Sequence, residues 1–350
     1  MGRSGGDGSE VGLPPPPHQK EQEVQSGGEQ HDYSCGSSTA SSEEANWGTL
    51  PSALTMEKNS ERRLVVFLDY DGTLTPIVSD PSAATLSSNM REAVRRLAAR
   101  APVAVVSGRA REKIHEFVDL SEIFYAGSHG FDIDGPNGLR HAAVNPDVLP
   151  LLGASRVALV ERLSGIDGVT IEDNRFALSV HWRNVAKTDD RHRIEQIVDE
   201  LLSNPPYQQG LRKSRGKCVY ELRPKVDWDK GKAVVYLLEF LRHFDARKGS
   251  LSSSDRTTET NSFEPPEADE DSTAKDAWYD SILPVYIGDD TTDEDAFGAL
   301  KPLGGVCVLN VGASEKERPH LTKATHVLRG VADVETFLNF LADRDAEKNT

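Results

Sequence analysis

Leu64-Val65-Val66-Phe67-Leu68-Asp69-Tyr70-Asp71-Gly72-Thr73-Leu74-Thr75-Pro76 is the stretch whose reading decides the fold. Its first five residues form an apolar, Val- and Leu-rich run of buried-strand length, which stops at two aspartates spaced i, i+2 with Gly-Thr behind them. In an open parallel sheet, ligands bind beyond the carboxyl ends of the strands, so acids at this position sit where chemistry is done. Two carboxylates there can hold Mg²⁺, a hard cation that prefers oxygen, and one of them can attack phosphorus as a nucleophile. The plainer reading is a pair of acids that solubilise a strand end or cap a helix; the rest of the chain has to decide between the two.

Immediately downstream, Met90, Ala93, Val94, Leu97 and Ala98 fall at helical spacing behind the capping residues Ser87, Ser88 and Asn89. Pro102 ends that helix, and Val103 to Val106 make a second short apolar run followed by Ser107-Gly108-Arg109. Strand, helix, strand in this order is a crossover unit, which makes the strands parallel and brings Ser107 out near Asp69. A third run, Ile123 to Ala126, precedes Gly127-Ser128-His129-Gly130.

The pattern then changes. An apolar helical stretch covers Val148 to Leu163, and an alternating strand follows in which Phe176, Leu178, Val180 and Trp182 share one face. Ala177, Ser179, His181 and Arg183 share the other, which is free to meet a ligand. A helix carrying Ile194, Ile197, Val198 and Leu201 leads to a further strand at Lys217 to Leu222, as in a small α/β unit with a half-covered sheet. Lys230-Gly231-Lys232 opens another helix, and the apolar run Leu283 to Ile287 again ends in acids, Gly288-Asp289-Asp290-Thr291-Thr292-Asp293-Glu294-Asp295. Gly305 to Leu309 and His326 to Leu328 are further strand candidates, and Val334, Phe337, Leu338 and Leu341 mark a closing helix.

If these strands share one sheet, two acidic clusters, a hydroxyl and an ammonium meet at one edge. Together they form a clamp for the oxygens of a transferring phosphoryl group.

The chain has 350 residues and a formal charge of −16, concentrated in two places. Residues 1–60 hold nine acids and three bases, and residues 246–280 nine acids and four bases. Both are poor in apolar residues, so a disordered tail and a disordered loop are expected, either of which can serve a protein partner. No apolar run approaches the roughly 20 residues that span a bilayer, and no signal-peptide core is evident, so no membrane association and a cytosolic location are expected. Cys35, Cys218 and Cys307 are distant and odd in number, consistent with a reducing compartment and no disulfide framework. No basic patch suggests nucleic acid.

Asp69-Tyr70-Asp71-Gly72-Thr73, Val106-Ser107-Gly108-Arg109, Asp229-Lys230-Gly231-Lys232 and Gly288 to Glu294 resemble the four ordered motifs of haloacid dehalogenase-type phosphatases. More narrowly, Leu68 to Ile77, Gly127 to Gly130, Ser179 to Val185 and Asp289 to Phe297 resemble trehalose-6-phosphate phosphatases of the stand-alone plant type. The resemblance implies a Rossmann-like parallel-sheet α/β core over residues 61–134 and 223–345, interrupted by the 246–280 loop, and an inserted α/β cap over 135–222. It implies an Mg²⁺-dependent hydrolysis of a small sugar phosphate through an aspartyl-phosphate. Asp69 would be the nucleophile and a metal ligand; Asp71 the general acid and base, its backbone carbonyl on the metal. Ser107 and Lys230 would hold the phosphoryl group, and Asp289 would complete the metal site with Asp290 or Asp293. Lys217 and Glu221 would contact the sugar, four residues apart on one side of an extended strand. Arg183, His129 and Gly130 are further contacts, and Gly72, Thr73, Gly108 and Arg109 complete the substrate-binding positions.

For Lys217 and Glu221 the alternative is a surface ion pair, and for His129 and His181 a structural histidine. The core motifs do not read the sugar, so sucrose 6-phosphate or another sugar phosphate stays an alternative substrate, as do phosphomutase chemistry and a non-catalytic sugar-phosphate sensor. The first 60 residues leave no room for a glycosyltransferase domain.

Overall fold

The computed structural model describes residues 57–250, 272–312 and 322–346. Five strands open the chain: β1 (Arg63–Leu68), β2 (Val103–Val106), β3 (Phe124–Gly127), β4 (Asp132–Asp134) and β5 (Arg140–Ala142). Four more, β6 (Thr170–Asp173), β7 (Leu178–His181), β8 (Leu211–Gly216) and β9 (Val219–Pro224), make a separate antiparallel sheet in the order β6-β7-β9-β8. The last three, β10 (Ile282–Gly288), β11 (Val306–Asn310) and β12 (His326–Leu328), join the first five in one eight-stranded sheet, ordered β12-β11-β10-β1-β2-β3-β4-β5. The six strands from β12 to β3 are mutually parallel, and β4 and β5 extend the edge antiparallel.

The continuous apolar runs of β1 and β10 follow from burial on both faces. On one face Leu64, Val66 and Leu68 pack with Met90, Val94 and Leu97 of the helix Ser88–Ala98 and Phe337 and Leu338 of the helix Val331–Ala346. On the other, Val65 and Phe67 pack with Leu237 and Leu238 of the helix Lys230–Ser250 and Phe297 and Leu300 of Glu294–Leu300. Ser87 starts the first of these helices by accepting the Met90 N–H (3.1 Å), and Asp229 starts the third by accepting from Lys232 (2.9 Å), which fixes Lys230 in the first turn.

The inserted sheet has its own core. Leu178, Val180, Tyr220 and Leu222 pack on Leu159 and Leu163 of the helix Leu149–Leu163 and Ile194 and Val198 of Thr188–Leu202. The alternation expected of β7 is present, with Leu178 and Val180 inward and Ser179 and His181 toward the core domain.

Several expected boundaries differ. The hairpin β4–β5 puts residues 135–142 in the core sheet, because β4 pairs back on β3, and β9 carries the insertion on to Pro224. Lys217 and Cys218 are the two-residue turn joining β8 to β9, with Cys218 at φ 62°, so Lys217 is not part of an extended strand with Glu221. The expected loop at 246–280 is helical at both ends: Lys230–Ser250 runs on to residue 250, and Ser272–Ser281 is a helix. That second helix docks because Lys275 (2.9 Å) and Tyr279 (2.7 Å) both reach Glu239, and the Trp278 indole donates to Asp245 (3.2 Å). Residues 251–271 and most of the acidic tail lie outside the described residues; at the tail's end, Glu57–Ser60 is a helical turn. Cys307 is a free thiol. Among the described residues, no helix is long and apolar enough to cross a membrane.

Candidate active site

The order β10-β1-β2 brings the loops after these three strands together at their carboxyl ends. Asp69 leaves β1 still in register, its N–H donating to the Ile287 carbonyl (2.9 Å), and its buried carboxylate takes an ion pair from Lys230 Nζ at 2.9 Å. Lys230 Nζ also reaches Asp293 Oδ1 at 2.7 Å. Asp293 accepts in addition from the Tyr286 hydroxyl (2.7 Å) and from the N–H groups of Asp289 and Asp290 (3.0 Å each), so the Asp289-to-Asp293 turn is wound around its carboxylate. Gly72 has φ +77°, and a Cβ there would run into the Asp289 carboxylate, so only glycine lets the β1 and β10 loops close this tightly. The Gly72 carbonyl is held by Asn310 Nδ2 (2.6 Å).

One carboxylate oxygen from each of Asp69, Asp289 and Asp293 lies within 4.8 Å of the others. Two buried acids, Asp69 and Asp293, thus share the Lys230 ammonium, and half-buried Asp289 beside them faces the Lys217 charge. Burial, with Asp293 and Asp71 nearby, pushes Asp69 up to about 8 despite Lys230, and burial with the Asp69 and Asp293 charges raises Asp289 well above the usual carboxylate range. An all-oxygen donor set with uncompensated negative charge suits a hard divalent cation. Asp290 stands apart from this trio; its side chain caps the following turn through the Thr291 N–H (2.7 Å), although it does line the cleft. The sequence left Asp290 and Asp293 as alternatives: Asp293 is the one whose oxygen lies with those of Asp69 and Asp289, with both of its oxygens already accepting two donors each, and Asp290 is the one that lines the cleft.

Asp71 faces the same cleft but is gripped by Arg109, whose Nε and Nη2 each lie 2.6 Å from a carboxylate oxygen. Arg109 is buried, donates also to the Pro81 carbonyl (2.7 Å) and lies over the rings of Tyr70 and Phe117. The buried Ser107 hydroxyl accepts the Arg109 N–H (3.2 Å) and borders the cleft.

The opposite wall is the polar face of the inserted sheet. Ser179, His181, Arg183, Lys217 and Glu221 all line the cleft, together with Glu172 and Asn174. Glu172 on β6 takes Lys113 Nζ (3.0 Å) and faces His181 Nε2 (3.1 Å), with Arg109 at 3.9 Å. Burial alone would raise its pKa; the His181 and Lys113 hydrogen bonds outweigh burial and hold it at about 2. Asn174 bridges the two domains. Its Oδ1 accepts the Ala110 N–H (3.1 Å), its carbonyl accepts the Ser128 hydroxyl, and its Nδ2 donates to Ser179 Oγ (3.1 Å).

Glu221 is buried against His129 Nε2 (2.8 Å), Arg223, Ser179 (3.4 Å) and Ser214 (3.3 Å). Burial would raise its pKa, but His129 and Arg223 keep it below the usual range. Burial and then Arg223 push His129 down to about 4, so at neutral pH the ring is uncharged and Arg223 is the cation that remains.

Of the positions expected from the sequence, Asp69, Asp71, Ser107, Gly108, Arg109, His129, Arg183, Lys217, Glu221, Lys230, Asp289 and Asp290 border one cleft. Asp293 lies beneath it. Thr73 is fully buried away from the cleft, Gly72 acts through its backbone, and Gly130 serves the packing of the domain junction, its carbonyl accepting from the Trp228 indole (2.9 Å). Glu172 and Asn174 were missed. The alternation Thr170, Glu172, Asn174 on one side of a strand was the available signal.

Residues 67–328 match the trehalose-phosphatase family. The chain is 38% identical over 308 residues to the probable trehalose-phosphate phosphatase D of Arabidopsis thaliana, spanning 84% of this chain and 72% of that one. It is 36% identical over 296 residues to trehalose 6-phosphate phosphatase RA3 of Zea mays, spanning 81% and 71%. The fold is shared with the C-terminal domain of the trehalose-6-phosphate phosphatase of C. albicans, at a TM-score of 0.64 and 21% identity over 87% of this chain and 99% of that one. With the motifs, the α/β core and the inserted sheet in agreement, this chain belongs to the trehalose-phosphatase family.

Proposed function

We propose that this chain hydrolyses trehalose 6-phosphate to trehalose and phosphate through an aspartyl-phosphate on Asp69, with Mg²⁺ held by Asp69, Asp289 and Asp293 and the Asp71 carbonyl. The observation that carries the reading is a buried strand-end carboxylate, Asp69, bonded to Lys230 within an acid cluster and facing a polar sheet wide enough in hydrogen-bonding groups to read a sugar. When bound, Mg²⁺ supplies positive charge to the phosphoryl oxygens and lets Asp69 stay ionised.

Asp69 forms the bond to phosphorus as the bond to the sugar oxygen breaks. Asp71 gives that oxygen its proton, then takes one from the water that cleaves the aspartyl-phosphate. The acid step needs a protonated Asp71 carboxyl turned out of the two-point contact with Arg109, and that contact matches only the second step, in which Asp71 acts as base. Lys230 and Ser107 steady the transferring phosphoryl group. The inserted sheet acts as a cap, with Lys217, Arg183, Glu221 and Glu172 presenting charge and hydrogen bonds to the sugar hydroxyls and excluding water.

The test is phosphate release with Mg²⁺ from trehalose 6-phosphate, sucrose 6-phosphate and glucose 6-phosphate, with Asp69→Asn as control. Selective release from trehalose 6-phosphate, lost in the control, is expected. Release from another sugar phosphate alone keeps the chemistry and overturns the substrate, and binding without turnover makes the chain a sensor.

A further inference from the structure

Arg223 borders the cleft nowhere, yet it touches the two residues that join sugar recognition to the phosphate site. It follows Glu221 by two residues on β9, so both side chains leave the same face of the strand. Its Nη2 donates to the Glu221 carboxylate and lies 2.7 Å from His129 Nε2, the ring nitrogen that also faces Glu221. On its other side Arg223 lines a second, polar cleft of about 280 Å³ with Arg212, Ser214, Asp229, Thr291 and Asp295 among its walls.

Stability alone does not account for this placement. Arg223 is 4% exposed, its Nε has no hydrogen-bond partner, and its direct cross-strand neighbour on β8 is another arginine, Arg212. Like charges directly opposite across a strand pair are destabilising, and Asp295, whose charge faces both guanidiniums, offsets them only in part. A buried charge network of this kind is more costly than an apolar side chain of equal volume.

Its effect falls on the cleft. Glu221 Oε2 accepts from Arg223, and the single proton of the uncharged His129 ring, on Nε2, serves Glu221 Oε1 (2.8 Å); Ser214 (3.3 Å) faces the second cleft, which leaves the long Ser179 contact (3.4 Å) as the one a sugar hydroxyl would replace. His129 in turn donates its N–H to the Ser107 carbonyl (2.8 Å), and a Cβ on Gly108 would come within 2.7 Å of the ring nitrogen. Glu221, Arg223 and His129 thus make a continuous bridge from the cap sheet to the Ser107-Gly108 loop.

We propose that Arg223 is the positioning residue of sugar recognition, holding Glu221 oriented toward the cleft from behind, where its contact with His129 ties it to the phosphoryl-binding loop. This rests on the reading of Glu221 as a sugar contact.

The experiment measures kcat and KM of the full chain with Mg²⁺ for trehalose 6-phosphate and for 4-nitrophenyl phosphate, a small monoester with no sugar to be read. Because charged hydrogen bonds are worth more than neutral ones, Arg223→Ala should lower the ratio of the two kcat/KM values at least about tenfold, mainly through KM for the sugar phosphate. Guanidinium chloride at non-denaturing concentration, entering through the second cleft, should restore part of that ratio, and sodium chloride at equal ionic strength should not. Arg223→Lys keeps the charge without the fork and should lose about threefold, which decides the matter if the alanine variant does not fold. Equal losses on both substrates, an unchanged ratio, or recovery with sodium chloride alone overturns the proposal. Glu221→Gln separates the two levels: if it keeps the selectivity, the reading of Glu221 falls and the proposal with it, whereas if it loses selectivity and Arg223→Ala does not, only the role of Arg223 is overturned.

Discussion

The two walls of the cleft bury carboxylates in opposite ways. On the core wall Asp69 and Asp293 share the Lys230 ammonium with Asp289 beside them, and the pKa values of Asp69 and Asp289 are driven up. On the cap wall Glu172 has Lys113, His181 and Arg109 about it, Glu221 has Arg223 and His129, and both are driven down. The core wall therefore carries more acid than base, a set that suits a cation, while the carboxylates of the cap wall are already paired. On the proposed function, reactivity belongs to the unbalanced wall, where charge changes during the reaction, and recognition to the balanced one, where it does not.

The sharpest way to break this contrast is Asp69→Asn. Loss of a nucleophile should reduce phosphate release by about 10⁴-fold or more. Because the asparagine relieves repulsion, the metal-free variant should melt no lower than wild type, and a large drop in melting temperature would mean that Asp69 is instead a structural partner of Lys230. Chelation comes next: it should abolish turnover, and restored Mg²⁺ at a hundredfold excess over its dissociation constant should add about 2.7 kcal/mol of stability. Asp289→Asn should lose most of that gain in a thermal melt; if the gain persists, the cation binds elsewhere.

His129 probes the balanced wall through pH. Its folded pKa, about 4, lies below the unfolded value of 6.5, so the unfolded chain binds the extra proton between the two. Stability of the Mg²⁺-loaded protein is then full above pH 6.5 and falls as pH drops toward 4, by up to about 3 kcal/mol from this group. His129→Asn, which tolerates the left-handed backbone at φ 59°, should flatten that slope in denaturant titrations, and an unaltered slope would assign the proton uptake to other groups. The smallest effect is expected from Glu221→Gln, which leaves Arg223 facing a neutral amide. It should cost about 1–3 kcal/mol, in contrast to Asp69→Asn, and no cost would erase the distinction between the walls.

The unbalanced wall was the legible one. Asp69, Ser107, Lys230 and Asp289 each sit at the end or start of an element that a run of buried apolar residues or helical spacing announces, and parallel strand order does the rest. The balanced wall depends on how a separate sheet docks, which local pattern does not carry. Lys217 was placed on a strand because Lys217 to Leu222 reads as one continuous run; the turn became evident only with β8 beside it, a strand whose Arg212, Lys213 and Arg215 give no apolar alternation. Arg223, 94 residues from His129, had no sequence signal at all. Thr73 and Gly130 belong to the same motifs as catalytic residues, yet they serve packing, because a motif keeps its backbone geometry as well as its chemistry.

The docking of the helix Ser272–Ser281 on Glu239 and Asp245 has a consequence for how this chain can vary. It fixes both ends of the intervening segment on one side of the helix that begins at Lys230. Glu239 lies about 14 Å along that helix from the Lys230 backbone, at 1.5 Å per residue. Closing a longer loop costs only about 0.6 kcal/mol for each doubling of its length. Sequence gained or lost between Ser250 and Ser272, acidic or phosphorylatable residues included, therefore leaves the distance from Lys230 to Asp69 as it is.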